Sequence, residues 1–194
     1  MVFYGFMEKK HIITIAGKPG SGKSTTSKGL AKALSYQHYS SGDFFRSIGK
    51  ERGFDVLAAN LLAEQEKEID ELVDQKLRDL GEEGANMVID SRMAWHWMPY
   101  SFRVYLDLDL TVAAKRILAN SDEARRAAEF ISDDEAIYAK TLQDRLDSEA
   151  KRYMMLYQAN PYDTSNYDLV VDSGAYTALE VQQLILEKYN AWKA

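Results

Sequence analysis

One contiguous run constrains this chain more than any other feature. Gly17-Lys18-Pro19-Gly20-Ser21-Gly22-Lys23-Ser24 matches GxxxxGK[ST] in full. It lies between a β-branched stretch, Ile12 to Ala16, and a segment reaching Leu34 in which Leu30, Ala31, Ala33 and Leu34 recur at helical spacing. Strand, glycine-rich loop and helix in that order make a phosphate cradle. Glycines let backbone N–H groups curl around phosphate oxygens, and the helix N-terminus adds positive potential. Lys23 is expected to reach the β/γ oxygens and the Ser24 hydroxyl to ligate Mg²⁺, so the run together with Thr25 is read as a site for ATP with Mg²⁺. A glycine-rich turn that binds nothing is the plainer alternative, and the flanking strand and helix argue against it.

Further strands are expected at Gln37 to Ser40, Met87 to Ile89, Phe102 to Leu106 and Tyr167 to Val171. Between the second and third, Ile69, Leu72, Val73, Lys76, Leu77 and Leu80 form one helical stripe, with Gly81 and Gly84 as stop signals. Ser132 with Glu135 reads as a capping box opening a long helix towards Gln158, and Thr177 with Glu180 as the cap of the last helix. Strands separated by helices imply right-handed crossovers and a parallel sheet covered on both faces. The expected class is therefore α/β, three layers around a five-stranded parallel sheet. At 194 residues and 46% hydrophobic content the chain supports one core. A single domain over 1–194 is expected, with its core at about 11–119 and 160–194, an acceptor-binding insert at about 43–84 and a helical lid at about 120–155.

Composition removes several functions. A net charge of -6 argues against coating nucleic acid, whose backbone is bound by neutralising Lys and Arg. With no cysteine, disulfides, thiolate-bound zinc and thiol nucleophiles are excluded. His11, His38 and His96 lack metal-ligand spacing, which leaves Mg²⁺ on oxygen ligands. The apolar-then-charged start is the reverse of a secretory signal, and no apolar run approaches membrane-spanning length. A cytoplasmic protein, monomeric or weakly dimeric, with small-molecule nucleotide partners and no nucleic-acid or membrane partner is expected.

Other candidates gather at the edge of the sheet where open α/β folds bind ligands. Asp90, at the end of the third strand, occupies the place of a second metal-site carboxylate, although a strand-terminal Asp is also an ordinary turn residue. Arg92 follows it. Ser40-Ser41-Gly42-Asp43-Phe44-Phe45-Arg46 opens a helix near the same edge, which places Ser41, Asp43 and Arg46 opposite the loop; a helix-surface pair of Asp43 with Arg46 is the bland reading.

GKPGSGKST followed by SSGDFFR and VIDSR resembles the nucleoside monophosphate kinases. FFRSIGKERGFDV, the tail YDLVVDSG and the compact lid more specifically resemble the archaeal-type cytidylate kinases, over nearly the whole chain after Lys10. The resemblance implies that Arg46 and Arg92 hold the acceptor phosphate, that Asp43 lies near the Mg²⁺ hydration shell and that Arg116 neighbours the ATP base. Two features depart from it: Ser91 stands where members often have Gly, and Trp95-His96-Trp97 has no counterpart in the pattern.

The lid, Asn120 to Tyr153, carries Arg125, Arg126, Arg145, Lys151 and Arg152. Arg145 and Arg152 share a helix face, and in similar kinases such arginines clamp the transferring phosphoryl and the acceptor phosphate. The alternative is intrahelical pairing, Arg145 with Glu149 and Asp147 with Lys151. The acidic run Glu64, Glu66, Glu68, Asp70, Glu71 and Asp74 reads as a solvated face, from which Asp70, Asp74 or Gln75 could reach an acceptor base, while Trp95 and Trp97 read as packing residues. The expected reaction is ATP plus a nucleoside monophosphate, CMP or dCMP favoured, giving ADP and the diphosphate. The rivals are another monophosphate such as AMP or UMP, a shikimate-type hydroxyl acceptor for which Asp43 would assist proton removal, and a nucleotide-gated switch without turnover. The absence of an NKxD motif counts against a GTPase switch.

Overall fold

The computed structural model describes residues 10–51, 63–121 and 132–194. Their centre is β1 (Ile12–Gly17), buried along its whole length. Only a strand covered on both faces tolerates such a run, which is the signature of a parallel sheet packed between helices. The other strands are β2 (Gln37–Ser40), β3 (Met87–Asp90), β4 (Phe102–Asp107) and β5 (Leu169–Asp172). All pair in parallel in the order β2-β3-β1-β4-β5.

On one face α1 (Lys23–Leu34) and α7 (Ala178–Lys193) bring Leu30, Ala31, Val181, Ile185 and Tyr189 onto Ile13, Ile15, Val88 and Val104. On the other, α3 (Ala63–Glu83) and α4 (Ala94–Trp97) bring Val73, Leu77, Ala94 and Met98 onto Ile12, Met87 and Ile89. The alternation of Ile12 against Ile13 between the two clusters is the period-two direction of strand side chains. α2 (Ser41–Glu51) follows β2, and α5 (Leu110–Ala119) packs on α6 (Glu135–Tyr157) through Ala113, Ala114, Ile117, Tyr138 and Leu142. Among the described residues no helix is long and apolar enough to cross a membrane.

Register places the site. Ser40 lies opposite Asp90, Asp90 opposite Ile15, Gly17 opposite Leu106, and Asp107 opposite Asp172. The carboxyl ends of all the strands therefore finish on one edge.

Several expected boundaries move. β3 and β4 extend to Asp90 and Asp107, because ladder pairing continues through a polar residue at the sheet edge. β5 starts at Leu169, since Tyr167 follows a 3₁₀ turn, Thr164–Asn166, and packs its ring on Tyr105 at 5.0 Å between centroids. Gly81 does not stop its helix: α3 runs to Glu83, and Tyr100 donates to the Gly81 carbonyl at 2.7 Å. The cap of α6 is Asp134, whose carboxylate accepts from the Ala136 and Ile137 amides, whereas Ser132 accepts from the Asp134 amide. The Thr177–Glu180 capping box on α7 forms as expected.

Candidate active site

The loop between β1 and α1 is shaped by glycines in backbone states that side chains resist. Gly17 has φ 147°, and a Cβ there would lie 2.2 Å from the Leu106 carbonyl oxygen. Gly22, at φ 85°, is the N-cap of α1. Lys23 is the first residue of that helix and turns back over the loop, donating to the carbonyls of Gly17 and Lys18 at 2.9 Å each. Burial of its ammonium pushes its pKa down to about 8; Asp90 and Glu149 oppose that shift, while Arg92 and Arg145 add to it. A lysine held only by neutral carbonyls is a cation without a counter-anion, ready for phosphate. Ser21, 3% exposed, has a buried hydroxyl with no hydrogen-bond partner among the described residues. An orphaned donor in such a loop is what an absent oxyanion would satisfy.

Ser24 is exposed and donates to Asp90 Oδ2 at 2.6 Å. Asp90 itself is only 6% exposed. This hydroxyl and carboxylate join the glycine loop to β3. Among the described residues no group of His, Cys, Asp or Glu could hold a metal unaided. A hydroxyl beside one carboxylate is a hard-oxygen set that suits Mg²⁺, which keeps waters and takes its remaining ligands from phosphates. Thr25 is exposed on the first turn of α1. Lys18 pairs with Asp107 at 2.7 Å, at one wall of a cavity of about 350 Å³ lined also by Gln143, Asp147, Asn160 and Tyr162. Arg116, on α5, donates to the Ser173 carbonyl beyond β5 at 3.1 Å, so it sits at the same edge of the sheet.

Ser41 opens α2, and the Asp43 amide reaches the Ser40 hydroxyl at 3.4 Å. Arg46 lies on α2 with its side chain outside the described residues, as are Arg125 and Arg126. His38 meets Ser27 at 3.0 Å behind the loop.

Arg145 and Arg152, both on α6, are engaged by different partners. Arg145 pairs through Nε with Glu149 Oε1 at 2.9 Å, the intrahelical contact its spacing permits, and Arg92 pairs through Nε with Glu149 Oε2, also at 2.9 Å. Arg152 reaches Asp70 on α3 at 3.3 Å and lies over the ring of Tyr153. Arg145 thus meets Arg92 through one carboxylate, while Arg152 meets α3. Asp147 accepts from Gln143 at 2.9 Å, not the contact with Lys151 that spacing suggests.

Asp74 does not lie on a solvated face. It is 4% exposed and accepts from Trp97 Nε1 at 3.2 Å and from the Tyr157 hydroxyl at 2.5 Å; burial raises its pKa. Both oxygens are spent on protein groups, which joins α3, α4 and the end of α6. Trp97 therefore packs and also donates. Trp95 is buried against Tyr167 as a packing residue.

Sequence reasoning passed over Glu149 as anything but a surface partner and did not mark Tyr157 or Tyr162. Glu149 is 7% exposed, accepts from Tyr162 and Arg145, and pairs with Arg92. Burial would raise its pKa, but Arg92, Arg145 and Tyr162 outweigh that and hold it at about 2. The i, i+4 spacing from Arg145 was visible; the second and third partners, Arg92 and Tyr162, come from distant chain.

Comparison with known proteins identifies relatives of this chain. A family described as an AAA domain matches residues 13–143. A cytidylate kinase of Natronomonas pharaonis is 36% identical over 184 residues, covering 93% of this chain and 90% of the relative. A cytidylate kinase of Methanothrix thermoacetophila is 36% identical over 182 residues, covering 94% and 99%. Among solved structures, the shikimate kinase of Aquifex aeolicus superposes with a TM-score of 0.59 at 22% identity, covering 94% of this chain and 99% of its own length. That last likeness concerns the fold.

Proposed function

Because the chain belongs to the cytidylate kinase family, we propose that it moves the γ-phosphoryl group of ATP onto the phosphate of CMP or dCMP, giving ADP and the diphosphate. The observation that carries this reading is the meeting of the glycine loop, the Ser24–Asp90 pair at 2.6 Å and two arginines around Glu149 at one edge of the sheet. A small-molecule enzyme of the cytoplasm is the corresponding setting.

In this reading residues 17–25 hold the ATP phosphates, and Lys23 exchanges the carbonyls of Gly17 and Lys18 for β/γ oxygens. Ser24 and Asp90 would hold Mg²⁺, which when bound would supply positive charge to offset the negative charge of the phosphates. Arg116 flanks the ATP base. Ser41, Arg46 and Arg92 bind the acceptor phosphate, Asp43 orients water around the metal site, and Arg145 and Arg152 close on the group in transit. Asp74 braces the acceptor side through Trp97 and Tyr157. An acceptor phosphate is already ionised at neutral pH, so no side chain needs to remove a proton. What the chain supplies is positioning and charge stabilisation.

The test is ADP release with ATP and Mg²⁺ across CMP, dCMP, UMP, AMP, GMP and shikimate. CMP or dCMP should give the highest kcat/KM. AMP ahead by tenfold would leave a monophosphate kinase but not a cytidylate kinase, and shikimate ahead would overturn the phosphate acceptor altogether.

A further inference from the structure

Glu149 stands where separate segments of the chain meet. Its Oε1 accepts from Arg145 Nε on its own helix and its Oε2 forms an ion pair with Arg92 Nε after β3, each at 2.9 Å, and Tyr162, in the loop after α6, donates to the same carboxylate. An ordinary i, i+4 pair on a helix surface is solvated and has one partner; this carboxylate is buried. One negative charge facing two guanidiniums leaves positive charge in excess. That excess is felt at the glycine loop, since Lys23 lies within electrostatic reach of Arg92, Glu149 and Arg145.

Two arginines that must converge on phosphoryl oxygens repel each other until the anion arrives. A fixed carboxylate between them offsets that repulsion while lying 2.9 Å from the Nε of each guanidinium. We propose that Glu149 is a positioning residue for phosphoryl transfer: it holds Arg92, on the core, and Arg145, on the lid helix, at a set separation and orientation, with Tyr162 fixing the carboxylate. This rests on the phosphotransferase reading given above. It also assigns a purpose to a buried acid that neither the glycine loop nor the metal pair requires. Preorganisation of this kind acts on the step in which charge develops, and on the acceptor phosphate that Arg92 meets, but not on the nucleotide held by the glycine loop.

The test is steady-state kinetics with CMP on wild type, Glu149→Gln and Glu149→Asp, below the melting temperature of each. Glu149→Gln keeps the shape but loses the charge. It should lower kcat about tenfold and raise KM for CMP about tenfold, with KM for ATP within about twofold of wild type. Glu149→Asp restores the charge on a shorter stem and should recover part of the lost kcat. If Glu149→Gln does not fold, Tyr162→Phe takes its place and should move kcat and KM for CMP in the same directions by about threefold. A variant whose melting temperature falls while kcat and both KM values stay at wild type, or an Asp variant no better than Gln, overturns the positioning role. If wild type transfers nothing to CMP or to any other nucleoside monophosphate, the phosphotransferase reading falls and this inference with it; wild-type turnover with an unaffected Gln variant defeats the inference alone.

Discussion

The nucleotide side and the acceptor side of this crevice are built in opposite ways. The glycine loop is contiguous, and the lysine that ends it faces backbone: Lys23 sits on the Gly17 and Lys18 carbonyls at 2.9 Å, while Lys18 turns outward to Asp107. Across the crevice the arginines face carboxylates from other elements, Arg92 and Arg145 on Glu149, Arg152 on Asp70. A lysine on neutral carbonyls gives up weak partners when phosphate arrives. An arginine on a carboxylate must either share its donors or leave a charge-assisted bond, so the acceptor side depends on which donors its carboxylates leave available. Substitutions on the first side should therefore abolish chemistry outright, and those on the second should grade with distance from the phosphoryl group.

The largest effect belongs to Lys23→Ala, which should lower kcat by at least about a hundredfold while thermal melts stay close to wild type. Near wild-type turnover would remove the distinction between the two sides. Next, Arg145→Ala and Arg152→Ala should each lower kcat/KM by about tenfold to a hundredfold with little change in ATP binding measured without acceptor. If both are unchanged, these arginines are surface partners and nothing more.

Glu149 sharpens the comparison through pH. Its pKa is lowered from an ordinary 4.5 to about 2 in the folded chain. A depressed carboxyl contributes stability above its unfolded pKa, and that contribution is lost as pH falls from about 4.5 towards 2. Denaturant titrations of wild type and Glu149→Gln should show the greatest gap above pH 5 and a gap that narrows through this window. A gap independent of pH would mean that the carboxylate is not held ionised by its arginines. Smaller again, Asp74→Asn should cost about 1–2 kcal/mol in thermal unfolding, since an amide cannot accept at both atoms from Trp97 and Tyr157, with ATP affinity unchanged.

How far the sequence reached follows the same division. The glycine loop was legible because its mechanism is written in adjacent residues, and the parallel sheet because Ile12 to Ala16 is apolar on both faces. The Ser24–Asp90 pair could be anticipated because strand ends finish together in a parallel sheet. Glu149 could not. Its sequence spacing shows only Arg145, whereas its burial and its contacts with Arg92 and Tyr162 arise from packing α6 over the sheet edge. Asp74 misled for a related reason: an acidic run reads as solvated, yet one turn of it points at Trp97 and Tyr157. The Ser132 cap failed on local grounds, because Asp134 stands nearer the helix start and accepts from its first free amides.

The central claim is that phosphate moves from ATP to a cytidine monophosphate, and the most direct measurement follows the phosphorus itself. With ATP labelled at the γ position, CMP and Mg²⁺, the purified chain should place the label in CDP, with ADP formed in equal amount and free phosphate far below it. Label released as inorganic phosphate at the same rate with or without CMP, and none in CDP, would contradict the account.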